Sequence, residues 1–260
     1  MLFSMNLALP AFARRFFIQV GQYSLILAKA FQAIGEVKMY RKNLLKEMVD
    51  IGIYALPVVM LASAFGGIVT TVQSAYQLDT TFYTESAIGA IVVPTIMLEL
   101  AALMTGLVMA ARLGARIAAE IGTMRVTEQI DALEAMGINA TAYLVLPRVL
   151  AAVVMFPVLW VGSCALGIYA GGMAGEVLGL LPMERFIAGA RVYFLTFDAF
   201  FGMFKTLAFG FIIASVACWK GFYTKAGAAG VGASTTEAVV VSCVAILIAD
   251  YLIAVVLLGI

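Results

Sequence analysis

The chain has 260 residues, of which 64% are hydrophobic and only 12% charged, with a mean hydropathy of +1.06. That is about half the charged share of a soluble domain, so a soluble globular protein is excluded and an integral membrane protein is indicated. The formal net charge of +1 leaves no overall basic excess for nucleic acid, and function has to be read from where the few charges stand.

At the amino terminus a short apolar start is interrupted by Pro10 and followed, rather than preceded, by Arg14 and Arg15. This does not fit a signal peptide, and the segment is expected to be retained. Residues 6–46 mix apolar side chains with Arg14, Arg15, Lys29, Lys38, Arg41, Lys42 and Lys46. That pattern predicts an interfacial helical region over residues 1–50, its basic groups towards anionic lipid. A span needs about 20 predominantly apolar residues. Five stretches qualify, residues 51–76, 88–111, 149–175, 197–219 and 238–260. The fold class expected is therefore an all-α integral membrane protein with five transmembrane helices in a single domain, residues 51–260 forming the membrane region.

Basic residues on alternate connections set the orientation. Besides the amino-terminal group, Arg112, Arg116, Arg125 and Arg148 fall between the second and third spans, and Lys220 and Lys225 between the fourth and fifth. The remaining two connections hold Arg185 and Arg191 beside Asp79, Glu85, Glu176 and Glu184. The amino terminus is expected in the cytoplasm and the carboxyl terminus outside it.

Between the second and third spans, Glu120, Glu128, Asp131 and Glu134 gather in an otherwise apolar chain. The spacing predicts a short helix over 127–136, with Thr127 as N-cap, Glu128 in the first turn and Gly137 as the stop. Val126, Ile130, Leu133 and Gly137 share one face and the acids fall on the other. A helix made for anionic lipid would carry lysine and arginine there, so the acidic sign favours a basic protein partner over membrane adsorption, with a merely solvated face as the alternative.

The run Ala119-Glu120-Ile121-Gly122-Thr123-Met124, followed by Glu128-Gln129-Ile130-Asp131-Ala132-Leu133, resembles the signature of the MlaE/YrbE family of ABC-transporter permeases. Arg112, Gly114 and Arg116 before it, "GVGASTTEAVVVS" from Gly230 to Ser242, and Asp250-Tyr251 also resemble that family's blocks. The resemblance covers nearly the whole chain. It implies a homodimeric inner-membrane permease for phospholipid, with an ABC ATPase below and an MCE-domain subunit outside. A STAS-domain subunit is a further implied candidate. On this footing the acidic segment is a coupling helix, with Glu128, Gln129, Asp131, Leu133 and Glu134 as the ATPase-coupling residues. ATP and magnesium would belong to the partner, because the chain has no nucleotide-binding motif; Gly227 to Gly232 lacks GxxxxGK[ST] and is expected to be a flexible loop.

Ionisable groups inside spans are functional candidates by default. Glu99 in the second span and Lys205 in the fourth stand at compatible depths and are expected to pair, lining a cavity for a zwitterionic or anionic headgroup or, alternatively, only fixing helix register. Asp250 in the fifth span is a further candidate, with a packing hydrogen bond to serine or tyrosine as its alternative. Asp198 joins this lipid-cavity set because, with Glu99 and Lys205, it falls where the resembling family has polar pocket residues. The family's arginine beside the glutamate is Leu98 here. Gly167, Gly171, Gly175 and Gly179 form a small-residue stripe suited to close helix packing, within the protomer or across a dimer. With no histidine, and with Cys164, Cys218 and Cys243 scattered in apolar runs, neither a catalytic triad nor a metal-ligand set is expected, and buried thiols are.

The expected function is a transporter permease subunit without catalytic residues of its own. Two other classes stand beside it: an ion-coupled secondary carrier using Glu99, Lys205 and Asp250, and a non-transporting membrane scaffold. A carrier would often show internal repeats, which five unequal spans do not.

Overall fold

The computed structural model describes residues 11–36, 40–78, 86–225 and 227–259. The amino-terminal start, Lys38, and the loop acids Asp79 and Glu85 lie outside the described residues. In chain order the helices are α1 (Ala11–Gln32), α2 (Arg41–Gln77), α3 (Ser86–Val126), α4 (Gln129–Ala135), α5 (Ala140–Val177), α6 (Met183–Val192), α7 (Thr196–Phe222) and α8 (Ala228–Leu258). Five of them, α2, α3, α5, α7 and α8, are long and apolar enough to cross a membrane.

Each apolar run of the sequence became a helix, and the differences are at the ends. The second span does not stop near Ala111, because Arg112 to Val126 is rich in alanine and arginine, residues that lose little on entering a helix, and α3 continues through them. Likewise Arg41–Met48, assigned above to the interfacial region, is helical and in line with the first span. The expected flexible loop at Gly227 to Gly232 is not one: Gly227 is the N-cap and the helix of the fifth span begins at Ala228.

α2 and α5 meet backbone to backbone. A Cβ placed on Gly67 would lie 2.0 Å from the Gly167 carbonyl oxygen, and one on Gly171 would lie 3.0 Å from the Gly67 carbonyl oxygen. Three members of the glycine stripe thus serve packing inside the protomer, while Gly179, at φ +69°, ends α5. α7 packs on α3, α5 and α8, and α1 packs on α5 and α7. Tyr23 of α1 fixes the latter contact with a hydroxyl 2.9 Å from Ser215 Oγ and an edge-on ring 5.6 Å from Trp219. α8 leaves Val240, Val244, Leu247, Ile248 and Tyr251 exposed, as α2 leaves Val58, Leu61, Phe65 and Val69. The ends of the bundle differ in charge: Arg41, Arg116, Arg125, Arg148 and Lys220 mark a basic end, whereas the described charges at the opposite one are mixed, Arg185 and Arg191 beside Glu176, Glu184 and Asp198.

Candidate functional site

Pro94 stands inside α3. Proline has no N–H to give and its ring crowds the carbonyl one turn back, so the ladder bond to that carbonyl is lost and the helix is locally disturbed. The next residues, Ile96–Leu100, form a widened π-helical turn. Glu99 lies in that turn, and the carbonyls it leaves open are used by neighbours: Trp160 Nε1 donates to Met97 O at 3.3 Å, and Lys205 Nζ donates to Leu98 O at 3.2 Å.

α7 brings Lys205 in. Gly202, one turn before it, permits this approach, because a Cβ there would be 2.7 Å from Met97 O and 2.3 Å from the Trp160 ring. The ammonium is wholly enclosed and lies 2.5 Å from Glu99 Oε2 and 2.7 Å from Asp250 Oδ1. The second contact is an ion pair off the hydrogen-bonding direction. Phe201 places its ring centroid 5.0 Å from the same nitrogen. One cation therefore faces two carboxylates from two other helices, and with both ionised the cluster carries a net negative charge. Its burial is uneven, with side-chain exposure of 0% for Lys205, 13% for Asp250 and 46% for Glu99. Glu99 is the open edge of the group.

Of the four lipid-cavity candidates, three meet at Lys205. Asp250 is held by the ammonium rather than by a serine or tyrosine. Asp198 stands apart: it is buried in the first turn of α7, seven residues before Lys205 and so roughly 10 Å along the helix. There its carboxylate faces the favourable end of the helix dipole. The contributions of Trp160 and of the Leu98 carbonyl were not read from the sequence, although Pro94, five residues before Glu99, was the available signal for a disturbed turn.

At the basic end a second charged group ties three helices together. Arg148 of α5 donates to Glu47 Oε1 of α2 at 3.1 Å, to Glu120 Oε2 of α3 at 3.0 Å and to its own Leu144 carbonyl at 3.2 Å. Arg116 of α3 reaches Glu47 at 2.9 Å and Asp50 at 3.2 Å. Glu120, grouped above with the acidic helix, instead turns towards the arginines.

Beyond this network lies α4. It spans Gln129–Ala135 rather than 127–136, and Thr127 is not its N-cap. The Thr127 hydroxyl donates back to Thr123 O at 2.8 Å, ending α3, and Glu128 makes the corner at φ 58° in the left-handed region. Gly137 does end the helix: at φ +76° it lets its own N–H reach Glu134 O at 3.0 Å and the Ile138 N–H reach Leu133 O at 3.0 Å. Ile130 is fully buried and Leu133 half-buried against the bundle. Asp131 is bonded by Arg125 at 2.7 Å, and Gln129 donates to Thr127 Oγ1 at 3.0 Å. Glu128 and Glu134 are exposed beside them.

A family model described as Permease MlaE matches residues 44–256, which include the Lys205 cluster, the arginine network and α4. The chain belongs to the MlaE permease family. It is 38% identical over 234 residues to a probable ABC transporter permease protein of Rickettsia bellii, covering 90% of each chain. It is 36% identical to one of Synechocystis, covering 87% of this chain and 86% of the other. It is also 33% identical to the chloroplastic protein TRIGALACTOSYLDIACYLGLYCEROL 1 of Arabidopsis thaliana, over 82% of this chain and 61% of that protein. As an MlaE-family member it is a multi-pass transporter permease subunit rather than an enzyme.

Proposed function

We propose that the chain is the membrane subunit of an ATP-driven phospholipid transporter of the inner membrane, working as a homodimer. In this reading the basic end is cytoplasmic and the carboxyl terminus periplasmic. An ABC ATPase docks at α4, an MCE-domain subunit receives or delivers lipid at the opposite end, and a STAS-domain subunit is a further candidate partner. ATP and magnesium belong to the ATPase.

The observation that carries the reading is the cluster of Glu99, Lys205 and Asp250 at membrane depth, open to its surroundings through Glu99. A half-exposed carboxylate in hydrocarbon is costly unless water, a partner or a ligand solvates it. A second copy against the exposed faces of α2 and α8 would enclose that edge in a shared cavity. Because Lys205 is already flanked by two acids, the cluster favours a headgroup that offers a cation to Glu99, such as the amine of a zwitterionic phospholipid, over a purely anionic one. Asp198 would line the path towards the outer end, and the apolar walls would take the acyl chains. α4 would pass motion inward: Ile130 and Leu133 grip the bundle, and Glu128, Gln129, Asp131 and Glu134 face the partner.

Purification in native lipid, with identification of co-purifying chains and bound lipid, tests this directly. An ATPase together with phospholipid is expected, with the phospholipid lost in Glu99→Ala. Absence of both, or transport driven by a proton gradient without ATP, would hand the cluster to an ion-coupled carrier.

A further inference from the structure

The turn that carries Glu99 is held in its widened form from outside α3. In a regular helix the Ala101 N–H would go to Met97 O, four residues back, but here it reaches Ile96 O, five back. The Met97 carbonyl thereby loses its ladder donor, and a buried carbonyl requires another. Trp160 of α5 supplies one: the residue is only 4% exposed, and its Nε1 lies 3.3 Å from Met97 O.

Three helices converge on this bond. Gly202 of α7 passes beside it, and a Cβ there would be 2.7 Å from Met97 O and closer still to the Trp160 ring, so a larger residue would displace the indole or the carbonyl. One turn further on, α7 delivers Lys205, whose ammonium donates to the next carbonyl, Leu98 O, at 3.2 Å and to Glu99 Oε2 at 2.5 Å. Met97, Leu98 and Glu99 are thus each met by a side chain from a neighbouring helix. Of these three bonds the one from Trp160 alone involves no charged group. The two donors also differ in kind. An indole offers a single N–H fixed in the plane of a rigid ring, whereas the ammonium has three rotatable donors and is shared with Asp250 at 2.7 Å. The indole therefore defines the direction of the carbonyl it holds, and the ammonium adapts to what it finds.

We propose that Trp160 is a positioning residue for headgroup binding: its N–H keeps Met97 O out of the ladder and so sets the rotation at which the turn presents Glu99. The proposal rests on the reading that Glu99 receives the amine of a zwitterionic phospholipid. Without the indole N–H, Ala101 is free to return to Met97 O and the turn to close to regular helical geometry. Glu99 would then move around the helix axis, away from the place where Lys205 and the opening now meet it. Trp160 acts on the lipid only through Glu99, and does not touch the headgroup itself.

The test is a binding measurement on the full-length protein in detergent, titrated with phosphatidylethanolamine or with phosphatidylglycerol and read by native mass spectrometry. Trp160→Phe keeps an aromatic ring against Gly202 without the donor. Replacing Trp160 by β-(3-benzothienyl)alanine removes the N–H at nearly constant shape, and so covers the case in which the phenylalanine variant folds poorly. Wild type is expected to prefer phosphatidylethanolamine, and Glu99→Gln to lose that preference. Either Trp160 replacement should weaken the phosphatidylethanolamine midpoint by about three- to tenfold, as for one hydrogen bond, and leave phosphatidylglycerol unchanged. Placed on Glu99→Gln, the same replacements should change neither midpoint, because the residue they act through has already been removed. A phosphatidylethanolamine midpoint that Glu99→Gln weakens and both Trp160 replacements leave intact would overturn this proposal alone. A loss of equal size for both lipids, or one that persists on Glu99→Gln, would reduce Trp160 to a packing role. No preference in the wild type, or one indifferent to Glu99→Gln, would remove the amine reading of Glu99 and this proposal with it.

Discussion

Glu120 and Arg148 stand 28 residues apart in the chain, on the two arms that lead into and out of α4, and their charged atoms meet at 3.0 Å. The same guanidinium also holds Glu47 of α2, so the arms are tied to each other and to the first span. Arg148 has 10% side-chain exposure and Glu47 14%, and removing the arginine would leave this mostly buried acid with Arg116 as its remaining partner. Arg148→Ala should therefore lower stability by roughly 1.5–3 kcal/mol, as for the loss of hydrogen bonds to charged groups. Arg148→Lys should recover only part of this, because an ammonium cannot reach two carboxylates with a rigid fork. Thermal unfolding of the detergent-solubilised protein measures both. Arg125→Ala is the control, since its bond to Asp131 is solvent-exposed and should be worth less than about 1 kcal/mol. Equal shifts for Arg148→Ala and Arg125→Ala would mean that the network carries no structural weight.

The Lys205 cluster invites a different comparison. Lys205→Met leaves Glu99 and Asp250 facing each other at membrane depth without their cation, and should destabilise the protein by roughly 3–5 kcal/mol. Adding Glu99→Gln and Asp250→Asn removes both charges, and the triple variant should recover most of that stability. If the cluster only fixes helix register, the triple variant should also transport. If it receives a headgroup, stability returns and transport does not. Melting temperature and lipid transfer measured on the same preparations separate the two.

The helices were legible because a run of about 20 apolar residues has few alternatives in a membrane. Their ends were not, since the competing signals were local and close in energy. Thr127 is a good N-cap residue, but its hydroxyl found the Thr123 carbonyl first. Gly227 to Gly232 reads as a loop by composition, yet the apolar residues after it carry the helix back to Ala228. Depth alone sufficed to pair Glu99 with Lys205. It could not place Asp250, whose approach depends on how α7 and α8 are rotated against each other. Glu47 and Asp50 sit far in sequence from Arg116 and Arg148; the acids were not read at all, and the arginines served as topology markers and, for Arg116, as part of the family resemblance. Their meeting is a property of the packed bundle.

Alkaline pH should loosen α1. Burial pushes the Tyr23 hydroxyl above its ordinary 10.0, against a smaller opposing effect of the Ser215 hydrogen bond. The folded protein thus resists ionisation that the unfolded chain accepts near pH 10. The Tyr23 contribution is fully present below that value and is lost as pH rises through and above it. Wild type should shed the α1 contact in this range faster than Tyr23→Phe, which cannot ionise. At neutral pH Tyr23→Phe should cost about 1 kcal/mol for the lost hydrogen bond. Trp219 emission follows the change, because the Tyr23 ring packs against that indole.

Gly67→Ala should be among the most damaging single-atom changes in the chain. The new carbon would sit 2.0 Å from the Gly167 carbonyl oxygen, and a backbone oxygen cannot turn away as a side chain can. α2 and α5 would have to separate, at a cost of about 1–3 kcal/mol or more. Gly162→Ala, on the same helix as Gly167, would meet only Met60 and Leu56 side-chain atoms at 3.6 Å or beyond, and should be neutral or slightly stabilising. Comparing the two melting temperatures tests whether the glycine stripe serves close approach or merely flexibility.

The acidic face of α4 gives the last test, which rests on the proposed ATPase contact. Its members are not equivalent. Asp131 already has Arg125 at 2.7 Å, so part of its charge is answered within the chain, whereas Glu128 and Glu134 are exposed. Glu128 also occupies a left-handed corner at φ 58°, where a non-glycine residue is strained by roughly 1–2 kcal/mol. Glu128→Gly should therefore raise stability while removing one charge, and Glu134→Gln should leave stability unchanged. If the face docks on a basic groove of the ATPase, both variants should weaken co-purification and ATP-dependent transport, Glu128→Gly doing so despite its higher melting point. Asp131→Asn should weaken assembly as well, because it leaves Arg125 without its carboxylate partner beside the basic groove. Raising salt should weaken the wild-type assembly and narrow the gap between it and the variants. Assembly that is indifferent to all three substitutions would leave α4 as a solvated turn between α3 and α5.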